Sequence, residues 1–248
     1  MIPDVVYCVR PGHPEHPETL RYSLRSLINV PHNKVFVVGH KPEWLSDQVI
    51  HIPTRQLDPN GDGKFFNIGT NLQAAVLDER VSNDFYWFND DFFVMRSILG
   101  IPTYGRPVTA AVYKAKLKML GDINHDAFVW GIWTQCDMME KLGYRLNETP
   151  FADCHYPMPL NKEEVQETIE WMQFHYPRHP IGHFRAVYAA MHNKQVLPVP
   201  DAKVASAWHG IMPGATYVST YEASWNGRVG REIRQQFRKM SPYERYDG

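Results

Sequence analysis

Phe85-Tyr86-Trp87-Phe88-Asn89-Asp90-Asp91-Phe92-Phe93-Val94 is an aromatic run broken by three polar residues. The aromatic residues read as a strand buried on both faces, as in the centre of a parallel sheet. Ionised carboxylates that leave water cost several kcal/mol each unless they are paired, hydrogen-bonded or bound to a cation. The strand is therefore expected to end at a cleft in which Asp90 and Asp91 meet a hard divalent cation, Mg²⁺ or Mn²⁺, whose oxygen shell often includes waters and substrate phosphates. The competing reading is a strand that ends in a solvated acidic turn.

The segments before this run give the fold class. Asp4-Val5-Val6-Tyr7-Cys8-Val9 reads as a short buried strand, and the Pro- and His-rich residues 10–17 that follow must be a loop. Leu20, Ser23, Leu24 and Leu27 recur at helical spacing over residues 19–28, and Pro31 stops that helix. Lys34-Val35-Phe36-Val37-Val38-Gly39 is then a second buried strand. Strand, loop, helix, strand implies a parallel pair with a right-handed crossover, and ligands of such sheets bind beyond the carboxyl ends of the strands. Tyr7 and Arg10, at the end of the first strand, are expected among the substrate-binding residues.

Val49-Ile50-His51-Ile52-Pro53 reads as a third strand. Asp58-Pro59-Asn60-Gly61-Asp62-Gly63 imitates the start of a calcium loop, but Gly69 stands where the bidentate Glu belongs, so it reads as an ordinary turn. Lys64, Asn67 and Asn71 precede the helical run Leu72-Gln73-Ala74-Ala75-Val76-Leu77 and would face a bound nucleotide; equally, Asn67 or Thr70 is a simple helix cap. Residues 98–107 read as a loop, 108–112 as a strand, and 129–133 as the opening of a helix.

His155, held between Cys154 and the proline-rich Tyr156-Pro157-Met158-Pro159, has the stiffness that a catalytic imidazole needs, although a structural histidine in a turn is the commoner case. Arg185 lies near a helix N-terminus and reads either as a phosphate clamp or as a surface ion pair. His209, after Trp208, is a candidate late metal ligand or a packing residue. The basic segment of residues 227–239 carries Val229, Ile233 and Phe237 on one stripe, as a docking helix does.

The whole chain bounds these readings. It has 248 residues, is 44% hydrophobic and carries a formal net charge of −1, which suits one globular unit over residues 1–248 and gives no global field for nucleic acid. Its three cysteines, Cys8, Cys136 and Cys154, form no C-x-x-C pair, and a cytoplasmic location is expected. No apolar run is as long as a membrane span, and Met1-Ile2-Pro3-Asp4 does not open like a signal peptide.

Taken together, four blocks of sequence resemble the Stealth family of sugar-phosphate transferases, which includes capsular-polysaccharide phosphotransferases. Asp4-Val5-Val6-Tyr7 with Glu18-Thr19-Leu20-Arg21-Tyr22-Ser23-Leu24-Arg25-Ser26-Leu27 and Pro42-Glu43-Trp44-Leu45 looks like the first block. Phe66-Asn67 with Phe88-Asn89-Asp90-Asp91-Phe92-Phe93 looks like the second and is the most specific. Cys154-His155-Tyr156-Pro157 with His183-Phe184-Arg185 looks like the third, and Ser241-Pro242-Tyr243-Glu244 like the fourth.

The resemblance implies an α/β, GT-A-like nucleotide-sugar-binding fold with a mostly parallel central sheet. It puts Asp90 and Asp91 on the metal side of the site, with His155 and Arg185 near the transferred phosphate. The family's acidic Gly-Ser-Asp turn is replaced here by Arg10-Pro11-Gly12-His13-Pro14-Glu15, and the compact length is similar to that of small phage-encoded glycosyltransferases. The expected activity is a metal-dependent transferase that moves a glycosyl or sugar-1-phosphate group from a UDP-sugar to an acceptor hydroxyl. Asp91 and Asp90, with His209, would hold the metal. Lys64, Asn67 and Asn71 would position the donor, Arg185 would clamp a phosphate, and His155 would act as base or nucleophile, with Asp90 beside it. The acceptor would be a polysaccharide, a protein or modified DNA. The rival class is a sugar-binding protein without turnover.

Overall fold

The computed structural model describes residues 2–10, 17–57, 63–119, 127–179 and 181–245. The turn expected at residues 58–62, most of the loop at 10–17 and the side chain of Lys64 lie outside the described residues. The chain opens with β1 (Asp4–Val9), α1 (Pro17–Ser26), β2 (Val35–Gly39), β3 (Val49–Ile52), α2 (Gly63–Leu77) and β4 (Asp84–Asn89). After a two-residue turn come β5 (Phe92–Val94), β6 (Tyr104–Thr109), α3 (Ala110–Met119) and α4 (Ala127–Lys141). Next are β7 (Pro150–Phe151), β8 (Met158–Asn161), α5 (Lys162–His175), α6 (Arg185–Met191) and β9 (Leu197–Pro198). The chain closes with β10 (Lys203–Val204), β11 (Tyr217–Thr220), α7 (Glu222–Trp225) and α8 (Arg228–Gln236).

The fold is α/β. Its central sheet has the order β3-β2-β1-β4-β8, parallel throughout except for β8, which pairs antiparallel to β4. Val5, Val6, Tyr7, Phe36, Val37 and Phe88 have at most 1% of their surface exposed, as expected of strands covered on both faces. Trp87 and Phe85 point into a cluster with α2 and α5, whereas Tyr7 and Phe88 point into one with α1. Two smaller sheets, β10-β11-β5 and β7-β6-β9, extend from it. Among the described residues no helix is long and apolar enough to cross a membrane.

The sequence readings need correction in three places. The aromatic run is two strands in two sheets, because the chain turns at Asp90-Asp91 and β5 pairs with β11. The helix expected from Leu72 begins at Gly63, so Asn67 and Asn71 sit one turn apart inside it and cap nothing. The loop expected at residues 98–107 gives way to β6 at Tyr104, and the strand expected at residues 108–112 ends at Thr109, where Ala110-Ala111-Val112-Tyr113-Lys114-Ala115 turns into α3, as its alanines and lysines favour.

Other readings hold. Val229 and Ile233 are fully buried and Phe237 nearly so, so α8 docks through its apolar stripe. Its charges are partly spent locally: Arg228 pairs with Glu232 and Arg234 with Glu18. Glu244 in the closing segment is 4% exposed and takes two hydrogen bonds from Arg25, both 2.8 Å, which ties the fourth sequence block to the first.

Candidate functional site

In a sheet of order 3-2-1-4, the chain passes from β1 to β2 on one side while β4 lies on the other, so the order reverses between the carboxyl ends of β1 and β4, and crevices of this kind hold ligands. The register places Cys8 of β1 beside Asn89 of β4, so Arg10 and the turn Asp90-Asp91 emerge side by side. A cavity of about 610 Å³ opens there, within the usual range for a small-molecule site. Arg10, Asp90, Asp91 and His155 line it, as do Asn67, Asn71 and Phe65 of α2.

The two aspartates differ. Burial and the neighbouring Asp91 push the Asp90 carboxyl up to about 7, against the opposing pull of Arg10 and Lys203. Near neutral pH Asp90 thus exchanges a proton readily, as a group used in acid-base chemistry does. Asp91 is neutralised by protein instead: its Oδ2 accepts from Lys203 Nζ at 2.6 Å and from Ser219 Oγ at 2.8 Å. The small sheet explains this pairing. Lys203 of β10 lies opposite Ser219 of β11, and Ser219 lies opposite Phe92, the residue after Asp91.

His155 stands on a segment fixed from two sides. Its Nδ1 donates to both oxygens of Asp201, each at 3.0 Å, and its backbone N–H donates to the same carboxylate at 3.1 Å. Burial opposes ionisation of Asp201, but His155 and Arg106, whose guanidinium is 3.1 Å away, hold it below the usual carboxylate range. Nε2 has no partner among the described residues and remains for a ligand. An imidazole oriented at Nδ1 by a carboxylate can take a proton at Nε2, with the resulting cation stabilised by that carboxylate.

Arg185 does its work behind this segment. It is 7% exposed, and its Nη1 donates to the carbonyls of Cys154 at 2.9 Å and Tyr156 at 2.7 Å, the residues on either side of His155. It is neither a surface ion pair nor part of the cavity wall. Tyr7, expected among the donor contacts, is fully buried, its ring against Phe88 and its hydroxyl 2.9 Å from Ser23. Asn67 brackets the backbone of Leu57, while Asn71 holds Thr54 and Gln56 through Oδ1 and Cys8 through Nδ2. Both amides therefore build the wall more than they offer free groups. The close approach of Asn71 also needs Gly39, whose φ is +102° and at which a Cβ would lie 2.9 Å from the Asn71 amide.

Of the three expected metal ligands, Asp90 and Asp91 line the cavity together and His209 does not. His209 is exposed, and one oxygen of Asp91 already takes two protein donors. Among the described residues no three His, Cys, Asp or Glu side chains are grouped to hold an ion. Sequence reasoning missed Asp201, Lys203 and Ser219. Asp201 lies just before β10, and Lys203 and Ser219 lie in strands of two and four residues, all after the stretch Val196-Leu197-Pro198-Val199-Pro200, and no periodicity or motif marks them.

No family model and no curated protein sequence matches the chain, so the resemblance to the Stealth family rests on the residues quoted above. Among solved structures, the crystal structure of mouse xyloside xylosyltransferase 1 in its apo form overlays with a TM-score of 0.40 and 10% identity, covering 98% of this chain and 95% of that one. An overlay this loose carries no argument about activity or substrate.

Proposed function

We propose that the cavity binds a nucleotide-sugar of the UDP-sugar type and that the protein transfers its glycosyl or sugar-1-phosphate group to an acceptor hydroxyl. The observation that supports this reading is a carboxylate-braced imidazole, His155, lining the same switch-point cavity as the Asp90-Asp91 turn. In glycosyl transfer, His155 Nε2 takes the acceptor proton as the acceptor oxygen bonds to the sugar's anomeric carbon. The bond from that carbon to the phosphate oxygen breaks, and the nucleoside diphosphate leaves. In the sugar-1-phosphate variant the same oxygen attacks the phosphorus next to the sugar, and the nucleoside monophosphate leaves. Asp201 stabilises the imidazolium in either case, and Asp90 supplies or holds a proton near neutral pH.

Incubation with a panel of UDP-sugars and hydroxyl acceptors, with Mn²⁺ or with chelator, followed by identification of the nucleotide product, tests the reading. UDP marks glycosyl transfer and UMP marks sugar-1-phosphate transfer. Absence of both products, together with donor binding, would replace it with a binding protein.

A further inference from the structure

The cavity contains a cation of its own. Lys203 lines it with a side chain only 14% exposed, its Nζ lying 2.6 Å from Asp91 Oδ2 and 4.2 Å from the centroid of the Tyr221 ring. Three chain segments far apart in sequence hold it there: β10 carries the lysine, β11 the serine that shares Asp91, and the turn after β4 the carboxylate. An ammonium has three N–H donors, and only the one to Asp91 goes to a protein polar atom among the described residues. The remaining donors stay available to a ligand in the cavity. Arg10 also lines the cavity and adds a second positive charge.

We propose that Lys203, with Arg10, receives the pyrophosphate of a nucleoside diphosphate and takes the place of the divalent metal expected from the acidic pair. The proposal rests on the nucleotide-sugar reading above and adds to it how the phosphates are held. A metal at Asp91 Oδ2 would have to displace the ammonium and leave a largely buried charge without its partner, and a metal at the other oxygen would sit beside that positive charge; both are unfavourable. A fixed lysine suits this task, since it binds phosphate as a point charge with rotatable donors.

Calorimetric binding of UDP, GDP, CDP and ADP in EDTA and in Mn²⁺ tests the proposal without relying on turnover. The expected result is a nucleotide that binds with a Kd within about threefold in the two conditions. Lys203→Met should weaken that nucleotide about 10- to 100-fold, the loss of one charge-assisted hydrogen bond, while Lys203→Arg should stay within a few-fold. The double variant Lys203→Met with Asp91→Asn leaves no unpaired carboxylate and should show the same loss, which separates phosphate binding from misfolding. Binding that needs Mn²⁺ and is unchanged by Lys203→Met would overturn the proposal and leave the nucleotide-sugar reading intact. No binding of any of the four nucleotides in either condition would overturn both.

Discussion

At the amino end of the central sheet, Asp4 has no exposed surface and accepts from Asn33 Nδ2, the backbone N–H of Lys34, and the backbone and hydroxyl of Ser82. At the carboxyl end of the adjacent strand, Asp90 is crowded by Asp91, lines a cavity and is pushed up to about 7. One carboxylate ties two loops to the sheet, and the other is left short of partners where a ligand can reach it. Burial alone does not separate structural from functional acids; what separates them is whether the surrounding donors belong to the protein.

That contrast can be broken or sharpened by experiment. The largest effect is expected at the cavity end. His155→Ala should lower donor turnover about 10²- to 10⁴-fold, as loss of a general base does, with thermal unfolding shifted little. Measured rates within a few-fold of wild type would remove His155 from the chemistry. At the opposite end Asp4→Asn should leave nucleotide affinity unchanged but cost on the order of 3 kcal/mol of stability, since it turns an NH₂ group toward donors that need an acceptor. Chemical denaturation reads this directly, and an unchanged midpoint would show that Asp4 is dispensable.

The third expectation carries the opposite sign. Because the folded state raises the Asp90 pKa from 3.8 to about 7, the native chain holds a proton that the unfolded chain releases across that window, so Asp90 costs stability as pH rises through it. Asp90→Asn should therefore be more stable than wild type by about 1–2 kcal/mol above pH 7, a figure discounted for the part of the side chain that reaches water. The difference should vanish below about pH 4, where wild-type Asp90 is protonated in both states. An Asn variant less stable than wild type at pH 8 would mean that Asp90, like Asp4, has its donors within the protein.

Much of the scaffold is legible in the residue order. β1, β2 and β4 are unbroken runs of β-branched and aromatic residues, and the leucines of α1 recur at helical spacing, so the parallel sheet follows from periodicity. The acidic turn is legible because two carboxylates inside an apolar run demand an explanation, and His155 because prolines stiffen its surroundings.

Other parts were hidden for stated physical reasons. The start of α2 carries Asn67 and Gly69, poor helix formers that tertiary packing overrides. Asp201 and Lys203 look like ordinary loop residues, and their roles arise only when β10, β11 and β5 align, a long-range pairing that no local pattern encodes. Tyr7 shows the reverse error, since a strand residue near the site points into the core when its place in the alternation turns it inward.

The guanidinium of Arg185, gripping the carbonyls on both flanks of His155, has a kinetic implication. A segment pinned at two carbonyls by one buried guanidinium nitrogen has little freedom left to lose, so a ligand entering the cavity would find the imidazole in place, and its association would be governed by encounter and not by loop rearrangement. Arg185→Lys, whose shorter side chain places its ammonium away from the position of Nη1, would loosen the segment and convert that immediate capture into a slower two-step approach visible by stopped flow.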